Sequence, residues 1–182
     1  MLKDRTDYLL DIDEVLGPKA AKKAPGIVKW FLKRRLHVDQ INHFVMTAEH
    51  YNGVGFFDDA LKFLDISYRI RGEENIDLSK RYIFVSNHPL GGAEALIIGS
   101  IFRRLYGKGF KVPSNQFLYN LKPLREFFVP VRVLSGGKQD REIVERMTEM
   151  FNSDCQSLVF PAGLCARTFK GKITEMPWKK MF

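Results

Sequence analysis

Ile83-Phe84-Val85-Ser86-Asn87-His88-Pro89-Leu90-Gly91-Gly92-Ala93-Glu94 passes from an apolar run through a polar turn into the start of a helical pattern. Ile83, Phe84 and Val85 predict a strand, apolar at consecutive positions and therefore covered on both faces. Ser86 and Asn87 punctuate it, and Pro89 holds the chain after His88 at a fixed φ. Gly91 and Gly92 let backbone come close to whatever sits over the histidine. The turn carries a histidine and, six residues later, the carboxylate of Glu94. A strand end feeding a Gly-rich turn and a helix start is where α/β enzymes place reactive groups. Taken alone, the same stretch also reads as an ordinary Asn-His-Pro turn.

Working outward toward the C-terminus, residues 94–105 are nearly all apolar and helical until Arg103-Arg104, and Gly107-Lys108-Gly109 stops them. A short strand is expected at 110–112, a short helix at 115–121, a turn at 122–125 and a strand at 127–133. Residues 140–151 form an amphipathic helix expected to bury Ile143, Val144, Met147 and Met150. Residues 157–160 are a buried strand running into Pro161-Ala162-Gly163-Leu164-Cys165-Ala166-Arg167. Strands alternate with helices, which predicts an α/β domain with a mostly parallel sheet and flanking helices, over residues 65–182.

Toward the N-terminus, residues 1–64 read as a helical segment preceding that domain. Helices are expected at 2–16, after Pro25, at 38–50 and at 56–64, and a half-buried strand at 66–71, where Ile66, Tyr68 and Ile70 alternate with polar residues. The formal charge is +8, and residues 19–35 hold seven bases and no acid. Such a concentration implies an anionic partner. After Pro25, Ile27, Val28, Phe31, Leu32 and Leu36 recur at helical spacing, with Lys22, Lys29 and Lys33 elsewhere on the wheel and Trp30 between. Two readings stand: a basic amphipathic helix lying in a membrane interface, or a surface helix packing its apolar stripe on the domain with its lysines in water. His43 and His50, seven apart, lack a further ligand at metal-binding spacing, and no metal site is expected.

No stretch approaches the ~20 uninterrupted apolar residues of a spanning helix, and the first residues mix acids and bases unlike a secretory signal. An intracellular protein is expected. The two cysteines, Cys155 and Cys165, have no CxxC spacing, which argues against a disulfide framework or a structural zinc site.

Three strand-end loops carry unusual chemistry: the His88 to Glu94 turn, the strand closing on Pro130-Val131-Arg132, and Phe160-Pro161-Ala162-Gly163 followed by Arg167 and Lys170. In a parallel sheet these ends fall on one edge. A histidine base, a carboxylate to orient it and arginines beside it suit acyl transfer to an acceptor bearing phosphate or carboxylate.

With these residues in view, the chain resembles the glycerolipid (1-acylglycerol-3-phosphate-type) acyltransferase family over roughly residues 20 to 182. Members carry Asn-His, four residues and Asp, then a block ending in Arg, then Phe-Pro-Glu-Gly with a following Arg. The corresponding residues are Asn87, His88 and Glu94; Arg132; and Phe160, Pro161, Gly163 and Arg167. The spelling Asn-His-Pro-Leu-Gly-Gly with Phe-Pro-Ala-Gly-Leu-Cys is similar to a bacterial haemolysin-like branch related to acyltransferases that make glycine or ornithine lipids. Three departures stand out. The carboxylate is a glutamate one position late, with Ala93 at the usual spacing. Ala162 stands where glutamate is common. Members also continue well past the third block, so the resemblance implies a domain incomplete at its C-terminus.

The resemblance implies direct transfer of a fatty acyl group from an acyl carrier protein or coenzyme A thioester to a hydroxyl or amine of a lipid precursor. His88 is then the general base and Glu94 the group that holds its tautomer. Asn87, Gly91, Gly92, Arg132, Pro161, Gly163 and Arg167 contact substrate, with Arg132, Arg167 and Lys170 holding acceptor or carrier phosphate, and backbone N–H groups near Gly91-Gly92 stabilise the oxyanion. Cys165 is a less favoured acyl-carrying nucleophile. No cofactor is expected beyond the thioester. The expected setting is cytoplasmic and peripheral on the inner face of the cell membrane, against an anionic surface, with no nucleic-acid partner because no base-reading motif is present. The alternative is a catalytically impaired or non-catalytic lipid-binding fragment of the family.

Overall fold

Acidic caps break the chain's start into short pieces. In the computed structural model, which describes residues 4–115, 118–131 and 141–178, Asp4 accepts from the Thr6 N–H (3.4 Å) and opens a 3-10 turn, Arg5–Tyr8. Asp11 accepts from the Asp13 N–H (2.9 Å) and opens α1, Ile12–Leu16. The single helix expected over 2–16 is therefore split, because short acidic side chains bond nearby backbone and favour caps over helix interiors. Helices α2 (Pro18–Lys23), α3 (Gly26–Arg35), α4 (Val38–Thr47) and α5 (Phe56–Phe63) follow. Arg5 donates to the carbonyls of Val45, Met46 and Ala48 (3.1, 3.2 and 2.6 Å), occupying the open C-terminal end of α4. His50 lies past that end. Its backbone N–H donates to Asp59 Oδ2 (2.7 Å), and its Nδ1 sits 3.3 Å from the same oxygen.

The central sheet holds β1 (Ile83–Val85), β2 (Phe110–Asn115), β3 (Phe128–Val131) and β4 (Gln156–Val159) in the order β1-β4-β2-β3, all parallel. Helix α6 (Gly92–Tyr106) leads from β1 to β2, and α7 (Arg141–Asn152) lies between β3 and β4. This is the expected α/β fold with a helical N-terminal segment. The insertion of β4 between β1 and β2 sets Val85 opposite Val159. The loops leaving those two strands therefore start side by side.

The core explains the many phenylalanines. Phe110 of β2 packs against Phe57 of α5, Phe102 of α6 and Phe127, with ring centroids 5.6, 5.1 and 5.9 Å away. Phe44, Val45 and Phe56 from α4 and α5 belong to the same buried cluster as Leu158 and Val112 of the sheet. Gly99 of α6 lies flat on Phe57, where an added Cβ would come 2.3 Å from Cδ1. Among the described residues no helix is long and apolar enough to cross a membrane.

Several expectations are corrected. Among the described residues only one face of β1 is covered: Phe84 meets Phe102 at 4.6 Å, but Ile83 and Val85 are 49% and 51% exposed, since β1 is an edge strand there with α6 on one side. Residues 66–71 keep the predicted alternation of burial yet form no strand. Their tether is a side chain instead, Tyr68 Oη bonding Ser100 Oγ of α6 at 2.9 Å. Strand β2 runs through Pro113 to Asn115. Beyond Lys111 it pairs with β3 alone, so a residue without an N–H is tolerated there. The short helix at 115–121 and the turn at 122–125 are two 3-10 turns, Leu118–Asn120 and Lys122–Phe127. In α7 only Met150 is buried; Ile143 and Met147 are half-buried and Val144 is exposed. After the third block a hairpin not foreseen from sequence appears, β5 (Arg167–Phe169) against β6 (Lys172–Thr174). Its two-residue turn, Lys170-Gly171, has both φ angles positive, as tight hairpins require.

The Gly99–Phe57 approach leaves no room for a methyl group, and Phe57 is itself buried. Gly99→Ala is expected to destabilise the fold by about 1–3 kcal/mol through overpacking. Urea unfolding would read this as a lowered midpoint; an unchanged midpoint would show that the helix and ring separate freely.

Candidate active site

The site forms where β1 and β4 end. One residue beyond β1, the Ser86 N–H donates to the Val159 carbonyl (3.0 Å), carrying the pairing into the loops. Two residues later the His88 carbonyl accepts from the Ala166 N–H (2.9 Å), stitching the first loop to the end of the third. The Phe160 ring lies on the His88 imidazole, centroids 4.2 Å apart and planes 22° from parallel. Backbone bonds and ring stacking thus fix where the imidazole stands.

Glu94 sets its rotation. It is the third residue of α6, and its two oxygens have separate work: Oε2 lies 3.0 Å from His88 Nδ1, and Oε1 accepts from the Leu90 N–H. A carboxylate in the first turn is also favoured by the helix dipole. Both side chains are mostly buried, His88 at 18% and Glu94 at 12% exposure. In the neutral imidazole, a carboxylate at Nδ1 favours the proton there, which leaves Nε2 with its lone pair. The one-residue delay relative to the family spacing is absorbed by the loop and the longer side chain.

Gly91 begins α6 at φ +78° and ψ −125°, a conformation open to glycine but not to residues with a Cβ. A Cβ there would also stand 3.5 Å from Cys165 Sγ. Among the described residues nothing lies within 4 Å of such an atom at Gly92, and α6 has no side-chain cap.

The other sequence candidates are distributed as follows. Asn87 is exposed on the loop before His88, and its carbonyl accepts from Ser86 Oγ (2.9 Å). Pro161 is half-buried, and the Gly163 N–H closes a turn on the Phe160 carbonyl (2.9 Å) with φ +67°. Arg167 is exposed, immediately after the Ala166 that bonds His88, so the hairpin starts at the site. Lys170 occupies the hairpin turn with its Nζ 5.6 Å from the Phe169 ring centroid. Arg132 lies outside the described residues. Ala162, where glutamate is common in the family, is buried. In sequence Phe160 stands at the end of the expected strand 157–160 and in the third block, and nothing in the pattern of apolar residues marks it as the ring that seats His88.

Cys165 is exposed, yet its thiol is pushed above the ordinary range by partial burial of its sulfur and by the Glu94 carboxylate. That direction is wrong for a nucleophile, which needs a lowered thiol pKa. Two shallow clefts of about 460 and 470 Å³ lie elsewhere, both against Asp58 and Ser100. Asp58 is already committed there, bonded to Ser100 Oγ and to the Arg103 guanidinium. That cluster ties α5 to α6 and has no reactive group to spare.

Comparison with known proteins bears on this geometry. Residues 13–182 match the acyltransferase family. The whole chain is 36% identical over 184 aligned positions to a lyso-glycine lipid O-acyltransferase of Bacteroides thetaiotaomicron, covering 67% of that protein. It is 35% identical to a lyso-glycine lipid O-acyltransferase of Phocaeicola vulgatus, covering 65%. The chain therefore spans about two thirds of the length of the curated relatives it matches. No solved structure matches.

The Cys165 environment gives a probe of Glu94 that is independent of turnover. Its raised thiol pKa keeps the thiolate scarce at neutral pH, so alkylation by iodoacetamide should be slower than for free cysteine and should accelerate as pH rises. Glu94→Gln removes the carboxylate's share of that shift and is expected to speed alkylation at neutral pH, read at Cys165 by peptide mapping. An equal or slower rate in the variant would contradict the contact.

Proposed function

For a chain that belongs to the acyltransferase family, we propose transfer of a fatty acyl group from a thioester to the hydroxyl of a lyso-lipid, with His88 as general base. The observation that carries this reading is the Glu94 Oε2–His88 Nδ1 contact at 3.0 Å. It leaves the imidazole's other nitrogen ready to accept a proton. Nε2 takes the acceptor's hydroxyl proton as that oxygen attacks the thioester carbonyl. The tetrahedral intermediate collapses with a new C–O bond and a broken C–S bond, and the imidazolium returns the proton to the leaving thiolate. Glu94 offsets the imidazolium charge while it lasts. The uncapped N–H groups at the start of α6, beside Gly91 and Gly92, serve the oxyanion.

Acyl carrier protein or coenzyme A supplies the thioester in this proposal, and Arg167 and Arg132 hold anionic groups of donor or acceptor. The relatives' names favour a hydroxyl on a lyso-lipid with an amino-acid headgroup. A buried methyl at Ala162 in place of a glutamate fits an acceptor that need not be held by a carboxylate there. The proposed setting is peripheral, at the inner face of the cell membrane.

The test is product formation, followed by mass spectrometry, from an acyl thioester and a lyso-glycine lipid. His88→Ala is expected to lower turnover by about 10²–10⁴-fold, the usual worth of general-base help, with the unfolding midpoint near that of the parent. Unchanged turnover in a folded His88→Ala chain would remove the mechanism.

A further inference from the structure

Helix α3 is packed with its apolar side outward. Ile27, Trp30 and Phe31 are 75%, 60% and 58% exposed, Val28 is exposed too, and no residue of the helix is buried. The side toward α1 and α4 carries Lys29, Leu32 and Leu36, only half-buried. Lys29 is held there by Asp13, Nζ to Oδ1 2.8 Å. At about 100° per residue, Trp30, Ile27, Phe31 and Val28 form one broad band. Arg34 and Arg35 fall within that band, with Arg34 about 160° from both Leu32 and Leu36. The Arg34 guanidinium sits 5.9 Å from the Trp30 ring centroid. The sequence left open whether the apolar stripe packs on the domain or faces away from it. In the folded chain the stripe is divided, and its larger part faces away.

The charges select the occupant. Lys19, Lys22, Lys23, Lys33, Arg34 and Arg35 are exposed, and none is ion-paired with an acid among the described residues. No acid occurs in residues 19–35 to balance them. A second copy meeting this face would set base against base, which costs association. A nucleic acid would engage the bases and leave the apolar band in water. An anionic bilayer takes both, apolar side chains among the acyl tails and Lys or Arg at the phosphates.

We propose that α3, flanked by the bases of α2, is a docking surface for an anionic lipid bilayer. The surface is distinct from the His88 site, and its occupancy is read without turnover, so failure here and failure of the acyl-transfer reading are separable. The experiment is co-sedimentation of the 182-residue chain with phosphatidylcholine vesicles, with and without phosphatidylglycerol. The parent chain should favour the anionic vesicles by about tenfold or more. Arg34→Glu with Arg35→Glu should abolish that preference, since both reversals set acids against the anionic surface. Ile27→Ser with Trp30→Ala and Phe31→Ser should weaken binding to anionic vesicles by about tenfold or more. All replaced side chains are exposed, and circular dichroism would verify the fold of each variant. Three results would overturn the proposal: equal affinity for both vesicles, binding indifferent to the apolar replacements, or a dimer in solution that those same replacements dissolve.

Discussion

The parallel pairing of β1 with β4 is the constraint on which the site depends. Because Val85 faces Val159, the two loops that follow run side by side and bond each other twice, Ser86 to Val159 and Ala166 to His88. Only with β4 in this position can Phe160 lie on the imidazole. The rest of the fold packs on that pairing, and every residue of β4 is buried. Phe84 of β1 and Leu158 of β4 meet a core built from α4, α5 and α6 as well as the sheet. The N-terminal helices therefore help to set the strands that lead into the His88 and Phe160 loops.

Within that frame the Glu94 carboxylate links helix to loop. One oxygen holds the Leu90 N–H and the other holds His88 Nδ1. The carboxylate completes the first turn of α6 and orients the imidazole together. Partial burial, together with the same charge, pushes the nearby Cys165 thiol above its ordinary range. The helix start and the orientation of the histidine ring share one side chain.

What could be read from sequence follows from how local each signal is. The strand–turn–helix around His88, the helix α6 and the alternation of strands with helices are local patterns of period and punctuation, and they predict the α/β sheet correctly. Partners brought together by topology were not legible: β4 between β1 and β2, Phe160 against His88, Cys165 over Gly91. Residues 66–71 show why periodicity alone misleads. Their alternation is real, but it is satisfied by Tyr68 reaching Ser100 rather than by a neighbouring strand. The hairpin of β5 and β6 was missed because Lys170-Gly171 is a weak turn signal compared with Asn-Gly. For α3 the spacing identified a helix but not which side faces in, since Lys29 finds Asp13 and turns inward with Leu32 and Leu36.

The central claim is that Glu94 fixes the His88 tautomer and so frees Nε2 to take a proton. Long-range ¹H–¹⁵N NMR of the His88 ring, recorded where the imidazole is neutral, measures this directly. The account predicts a protonated Nδ1 and an unprotonated Nε2 in the parent chain, with that preference lost in Glu94→Gln. A parent ring protonated mainly at Nε2 would contradict it.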